Sequence, residues 1–254
     1  LRARIIALLS IVWAIAAMTG PLIGGIFAEI NFWRGGFLFA LPIIIFFTYT
    51  AMKAIPKEDK KYIQIQFPFI RILLLGSGVL LIGFSGVASL IVLKFLSLII
   101  GILFLIISIN IDSSKKSIGL FPKNPFSIKS ANGTANWFFL LISIPPVALG
   151  IYMPLAYQMV YDLKPLLAGY LSALLAVFWS IAAAAVSNFS IKFQSYALIL
   201  GPLISFCGLL GIAIGIGNFS WQVLACFTAI TGTGIGVCMG HLMNWTMTLA
   251  KSGE

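Results

Sequence analysis

The feature that most limits this chain is the stretch from Ile5 to Ala28, which carries no charged side chain and continues long enough to cross a bilayer. A helix rises about 1.5 Å per residue, so about 20 residues span the hydrocarbon. The same ruler marks eight spans, near Ile5–Ala28, Gly36–Ala54, Ile72–Ala88, Leu90–Ile111, Trp137–Met159, Leu166–Phe189, Tyr196–Gly217 and Gln222–Leu249. Gly83, Gly86 and Ser89 predict the break between the third and fourth, and Lys94 is then expected to snorkel to the near interface. Strands of a membrane barrel alternate apolar and polar residues over about ten positions, whereas these runs are apolar all round. In lipid every backbone group must be paired within the segment. The expected fold class is therefore all-α, a polytopic membrane bundle of about eight transmembrane helices.

Composition agrees. Hydrophobic residues make up 61% of the chain, charged residues 9%, and mean hydropathy is +1.09. A soluble domain carries roughly a quarter charged residues, so this chain could not cover its own surface in water. The lipid bilayer is the expected partner. The net charge of +10 does not imply nucleic acid. Nucleic-acid binders gather Lys and Arg on one face, and here they sit in short gaps between apolar runs. Cys207, Cys226 and Cys238 all lie within apolar runs without a CxxC pair, so they read as small buried hydrophobes. No metal site and no cofactor is implied.

Loop charge sets the orientation. With both termini on one side, every Lys and Arg except Arg34, Lys94 and Lys164 falls on that side, which is then cytoplasmic. Four segments follow: residues 1–56, a first helix pair; 57–112, a second pair; 113–136, a cytoplasmic loop; and 137–254, a four-helix unit. The chain begins at Leu1 and stops after Ser252-Gly253-Glu254, and both ends read as cuts in a longer sequence.

The sharpest local signal is Gly20-Pro21-Leu22-Ile23-Gly24-Gly25. Pro21 removes a backbone donor and is expected to kink the helix. Gly20 and Gly24 share one face, where a neighbouring helix can approach closely. By physics alone this is an ordinary kinked packing helix.

The wider context, with Trp13, Glu29, Trp33-Arg34, Phe37 and Pro42, resembles the fifth helix and following turn of the fourteen-helix drug:proton antiporter branch of the major facilitator superfamily. There the Gly-Pro-x-x-Gly-Gly element is called the antiporter motif. Leu120-Phe121-Pro122 through Phe126 is similar to that branch's Pro- and Phe-rich loop. Met153-Pro154-Leu155-Ala156-Tyr157-Gln158 and Ala168-Gly169 look like its ninth and tenth helices, and Gly232-Thr233-Gly234-Ile235-Gly236 through His241 its twelfth. The resemblance implies a partial major facilitator fold, helices five to twelve, with residues 57–112 as two inserted linker helices. It departs at Asp162, where the family usually has Gly, and at Lys164, where it has a small polar residue.

The resemblance further implies a secondary transporter in a bacterial-type inner membrane, exporting amphipathic or drug-like small molecules by alternating access, with protons as the coupling ion. Gly20, Pro21, Gly24 and Gly25 would form a close-packed hinge and seal. Glu29 closes the helix that carries this motif and is placed to pair with Arg34 in the external loop, in a structural or interfacial role, with a proton-linked role as the less favoured alternative. Tyr157, Gln158, His241 and Asn244 are candidates for a substrate cavity. Two other readings are carried. One is a truncated, non-transporting piece. The other is an intramembrane enzyme using Ser180 and His241, which the scarcity of acids and histidines disfavours.

Overall fold

The computed structural model describes residues 2–54, 67–114, 120, 125–186 and 191–252. Lys57, Glu58, Asp59, Lys60, Lys61, Lys115, Lys116, Phe121, Pro122, Lys123, Asn188 and Glu254 lie outside that set. Among the described residues there are eight helices and no strand: α1 (Arg2–Glu29), α2 (Arg34–Ala54), α3 (Phe69–Val87), α4 (Ile91–Ser114), α5 (Ala131–Tyr161), α6 (Pro165–Val186), α7 (Ile191–Gly215) and α8 (Trp221–Ser252). Seven are long and apolar enough to cross a membrane, and α1 adds the apolar stretch Ile15–Glu29. The chain is a polytopic helical membrane bundle.

Local chemistry sets the ends. α1 stops where Asn31 takes a left-handed conformation, φ 56°, which Asn tolerates better than most residues. α3 stops where Ala88 turns extended at ψ 135°, at the expected break. α6 opens on Pro165, whose missing N–H costs nothing at the first helical position. α7 ends at Gly215, and Gly217 at φ 80° supplies the reversal into α8. Most helices run a few residues past their expected spans, α5 and α7 the furthest: α5 begins at Ala131 rather than Trp137, and α7 at Ile191 rather than Tyr196.

Hydroxyl side chains inside the helices bond back to carbonyls one turn earlier. Ser97 Oγ donates to the Leu93 carbonyl at 2.6 Å, Ser143 to Phe139 at 2.7 Å and Thr228 to Leu224 at 3.0 Å. Lipid offers no other partner, so the helix itself must satisfy them.

The chain divides into two compact units. One takes in α1, α2 and α5–α8. Its core joins Leu149, Met153 and Tyr157 of α5 to Ala168, Leu171 and Leu175 of α6, Ile212 of α7 and Leu224 of α8. A second cluster joins Ile142 of α5 to Ile235, Cys238, Met239 and Leu242 of α8. Of the seven long apolar helices α8 is the most buried. Its glycines explain why it can be. A side chain at Gly232 or Gly236 would strike the α6 carbonyls of Leu175 and Trp179. A Cβ at Gly234 would lie 2.5 Å from the Gly201 carbonyl of α7. Small residues let backbones approach closely, which is how membrane helices gain packing energy.

The other unit holds α3 and α4, an antiparallel hairpin crossing at Gly78 and Gly101. A Cβ on Gly101 would lie 2.8 Å from the Gly78 carbonyl.

One expectation is corrected here. Cys207 and Cys226 are exposed on helix surfaces, and Cys238 alone of the three is buried. Arg71, counted above with the charges of the cytoplasmic side, is buried against Asp112.

Candidate functional site

α1 packs along α6, and the contact is made by two of the segments singled out in the sequence. A Cβ on Gly25 would lie 2.7 Å from Leu166 Cδ1 and 2.8 Å from Leu166 Cα, so the two backbones nearly touch. One turn back, a Cβ on Gly169 would lie 3.0 Å from Pro21 Cβ. The Pro21/Gly25 ridge of α1 therefore seats on Leu166 and Gly169 of α6. Pro21 suits such a seam, because its ring is compact and its lost hydrogen bond leaves no N–H facing the neighbour.

The face expected to make this approach is a different one. Nothing lies within 4 Å of a Cβ placed on Gly20 or on Gly24. These two line an open cleft of about 330 Å³ between α1 and α2, together with Trp33, Gly36, Phe37 and Ala40 among others. Successive helical residues point about 100° apart, so Gly20/Gly24 and Pro21/Gly25 form neighbouring stripes, and α6 occupies the second.

At the α1–α2 turn, Glu29 and Arg34 do not form an ion pair. Arg34 stacks its guanidinium over the Trp33 ring, 4.2 Å from the centroid. Trp33 in turn meets Phe37 edge-on at 6.3 Å. A cation over an indole face is a favourable contact in its own right, and it orients the guanidinium toward its chain neighbour.

Of the four candidate cavity residues, Tyr157 and Gln158 are not brought together with His241. Tyr157 is fully buried in the α5–α6–α8 core. Its hydroxyl lies beside Thr228, which already donates to the Leu224 carbonyl, and makes no well-aligned hydrogen bond. Gln158 is half-buried and donates from Nε2 to the Pro154 carbonyl at 3.0 Å. His241 lies on α8 well beyond Thr228, by roughly 20 Å along the helix. It is 3% exposed, neither ring nitrogen has a partner, and it meets the Phe193 ring at 6.1 Å. The side chain of Asn244 lies outside the described set. Ser180 donates to the Ala176 carbonyl at 2.9 Å and does not meet His241, so the nucleophile–base pair of a hydrolase is not assembled.

Tyr161 was missed in the sequence. Its hydroxyl donates to the Gly215 carbonyl at 3.3 Å and accepts from the Gly217 N–H at 3.0 Å, which ties the end of α5 to the α7–α8 turn. The next residue, Asp162, sits at φ 53°. That is the left-handed region where glycine is at ease, which gives a physical reason for the glycine usual at this place in the resembled family.

No family model and no solved structure matches the chain. Among curated proteins it is similar to a probable multidrug-efflux transporter of Mycobacterium tuberculosis, found in two strains, at 26% identity over 93% of this chain and 52% of the relative. It is also similar to a riboflavin transporter of Clostridioides difficile, at 24% identity over 66% of this chain and 36% of that protein. The chain spans about half the length of the first of these relatives.

Proposed function

We propose that this chain is the middle part of a secondary transporter of the major facilitator type, in a bacterial inner membrane with both termini cytoplasmic. It takes part in the proton-coupled export of amphipathic or drug-like small molecules by alternating access, and the α1–α6 seam is its hinge and seal. The observation that carries this reading is the seating of Pro21 and Gly25 on Leu166 and Gly169. A seam with a glycine on each side, facing only Leu166 and Pro21, can pivot while excluding water, because little must be repacked as the angle changes. The similarity to proteins named as a multidrug-efflux and a riboflavin transporter supports the transporter class. The apolar character of α5 and α8 suits amphipathic substrates better than small ions.

The test is a flux measurement on the complete gene product in everted membrane vesicles. With an inward-acid pH gradient, a fluorescent cationic dye such as ethidium accumulates inside, and a protonophore discharges it. Dye movement that ignores the gradient removes proton coupling from the proposal. Movement of riboflavin but not of the dye assigns the chain to flavin transport instead. No movement of either overturns the transporter reading.

A further inference from the structure

A buried ion pair lies away from the proposed site, in the α3–α4 hairpin. Arg71 Nη1 donates to Asp112 Oδ1, and both side chains are buried, at 7% and 3% exposure. Three facts make the pair hard to explain as simple hairpin glue. The hairpin is already closed by the Gly78–Gly101 crossing and by Ser108 Oγ, which donates to the Arg71 carbonyl at 3.0 Å. Each charge also sits at the wrong end of its helix: Arg71 lies in the first turn of α3, and Asp112 in the last turn of α4. Helix dipoles favour anions at N-termini and cations at C-termini, so each charge is opposed by its own helix. Finally, burying an ion pair gains little over apolar residues of the same size.

What distinguishes the pair is its third member. The same Asp112 Oδ1 accepts the backbone N–H of Leu120 at 2.8 Å, eight positions further on and past the end of α4. An apolar pair could close the hairpin, but only an acceptor can hold that N–H. We propose that Arg71 and Asp112 form an anchor for the connector that leaves α4. Arg71 fixes the Asp112 carboxylate in place, and the carboxylate pins the connector at Leu120. Both act as positioning residues. The proposal is independent of the transporter reading.

The experiment is hydrogen–deuterium exchange at the Leu120 amide, resolved by fragmentation mass spectrometry, on the full chain in detergent, with thermal unfolding measured in parallel. In the unsubstituted chain this amide exchanges at least tenfold slower than an unstructured amide of the same sequence. Arg71→Met alone and Asp112→Asn alone each strand a buried polar partner and lower Tm. Arg71→Met with Asp112→Leu restores Tm to within a few degrees but speeds Leu120 exchange at least tenfold. The reversal, Arg71→Asp with Asp112→Arg, rebuilds a pair with both charges at favourable helix ends. It also recovers Tm while Leu120 remains fast, because an arginine at 112 cannot accept the N–H. A purely stabilising pair would return both readouts together. The proposal is overturned by coil-like exchange at Leu120 in the unsubstituted chain, by protection that survives either double substitution, or by failure of both doubles to fold.

Discussion

Gly25 and Gly24 are adjacent glycines on one helix, and substituting each with alanine separates the seam from the helix that carries it. At Gly25 the new methyl would stand 2.7 Å from Leu166 Cδ1, 2.8 Å from its Cα and 3.0 Å from its Cβ. Carbon atoms rest about 3.5–4.0 Å apart, so α1 and α6 must part by roughly 0.7–1 Å. Leu166 Cδ1 can swing aside, but its Cα cannot move without the α6 backbone. A gap of that size forfeits roughly a quarter to a half of the dispersion across the seam, and overpacking of this kind costs about 1–3 kcal/mol. Alanine also favours the helix over glycine by about 1 kcal/mol, and this gain applies at both positions. At Gly24 nothing lies within 4 Å, so only the gain remains. The two variants should then differ by about 1–3 kcal/mol, with Gly25→Ala the less stable. For a chain of this size that is a Tm difference of roughly 2–12 °C in a thermal unfolding assay in detergent. If Gly25→Ala melts at or above Gly24→Ala, the packing argument for the seam is wrong.

Other positions give sharper contrasts. Gly232→Ala drives a methyl into the Leu175 carbonyl and should lower stability by about 2–3 kcal/mol, while Gly240→Ala meets nothing and should be neutral or stabilising; denaturation midpoints compare the two. Asp162→Gly relieves a left-handed backbone and should raise Tm slightly, whereas Asp162→Val should cost about 1–2 kcal/mol. Tyr161→Phe removes both hydrogen bonds to the α7–α8 turn, at a cost of about 1–2 kcal/mol, read as faster amide exchange at Gly217.

The helices were legible because the bilayer sets a length that apolar runs must meet. Ala88–Leu90 was legible as a break because small residues cluster just before it. Side-chain partners were harder. Gly20/Gly24 and Pro21/Gly25 are equally good small-residue stripes, and only the position of α6 chooses between them. Glu29 and Arg34 are close in sequence, but the guanidinium stacks on the Trp33 ring instead of pairing with the carboxylate. The burial of Tyr157 follows from the face that α5 turns to α6 and α8, which an evenly apolar helix does not declare. Arg71 and Asp112 carried a usable signal, since opposite charges at the same end of consecutive spans meet once those spans pair antiparallel. Counting Arg71 among the loop charges hid it. At Asp162 the resemblance supplied the usual residue, and the backbone angle supplied its reason.

The central claim is that the α1–α6 seam moves during transport. Gly25→Cys with Leu166→Cys, in the complete protein with its other cysteines replaced, places two thiols across that seam. After oxidation, protease cleavage in the α4–α5 connector and a non-reducing gel report the cross-link, and everted vesicles report dye efflux. The account predicts that the cross-link forms, stops efflux, and releases it again on reduction. Efflux continuing at its full rate in quantitatively cross-linked protein would contradict the claim.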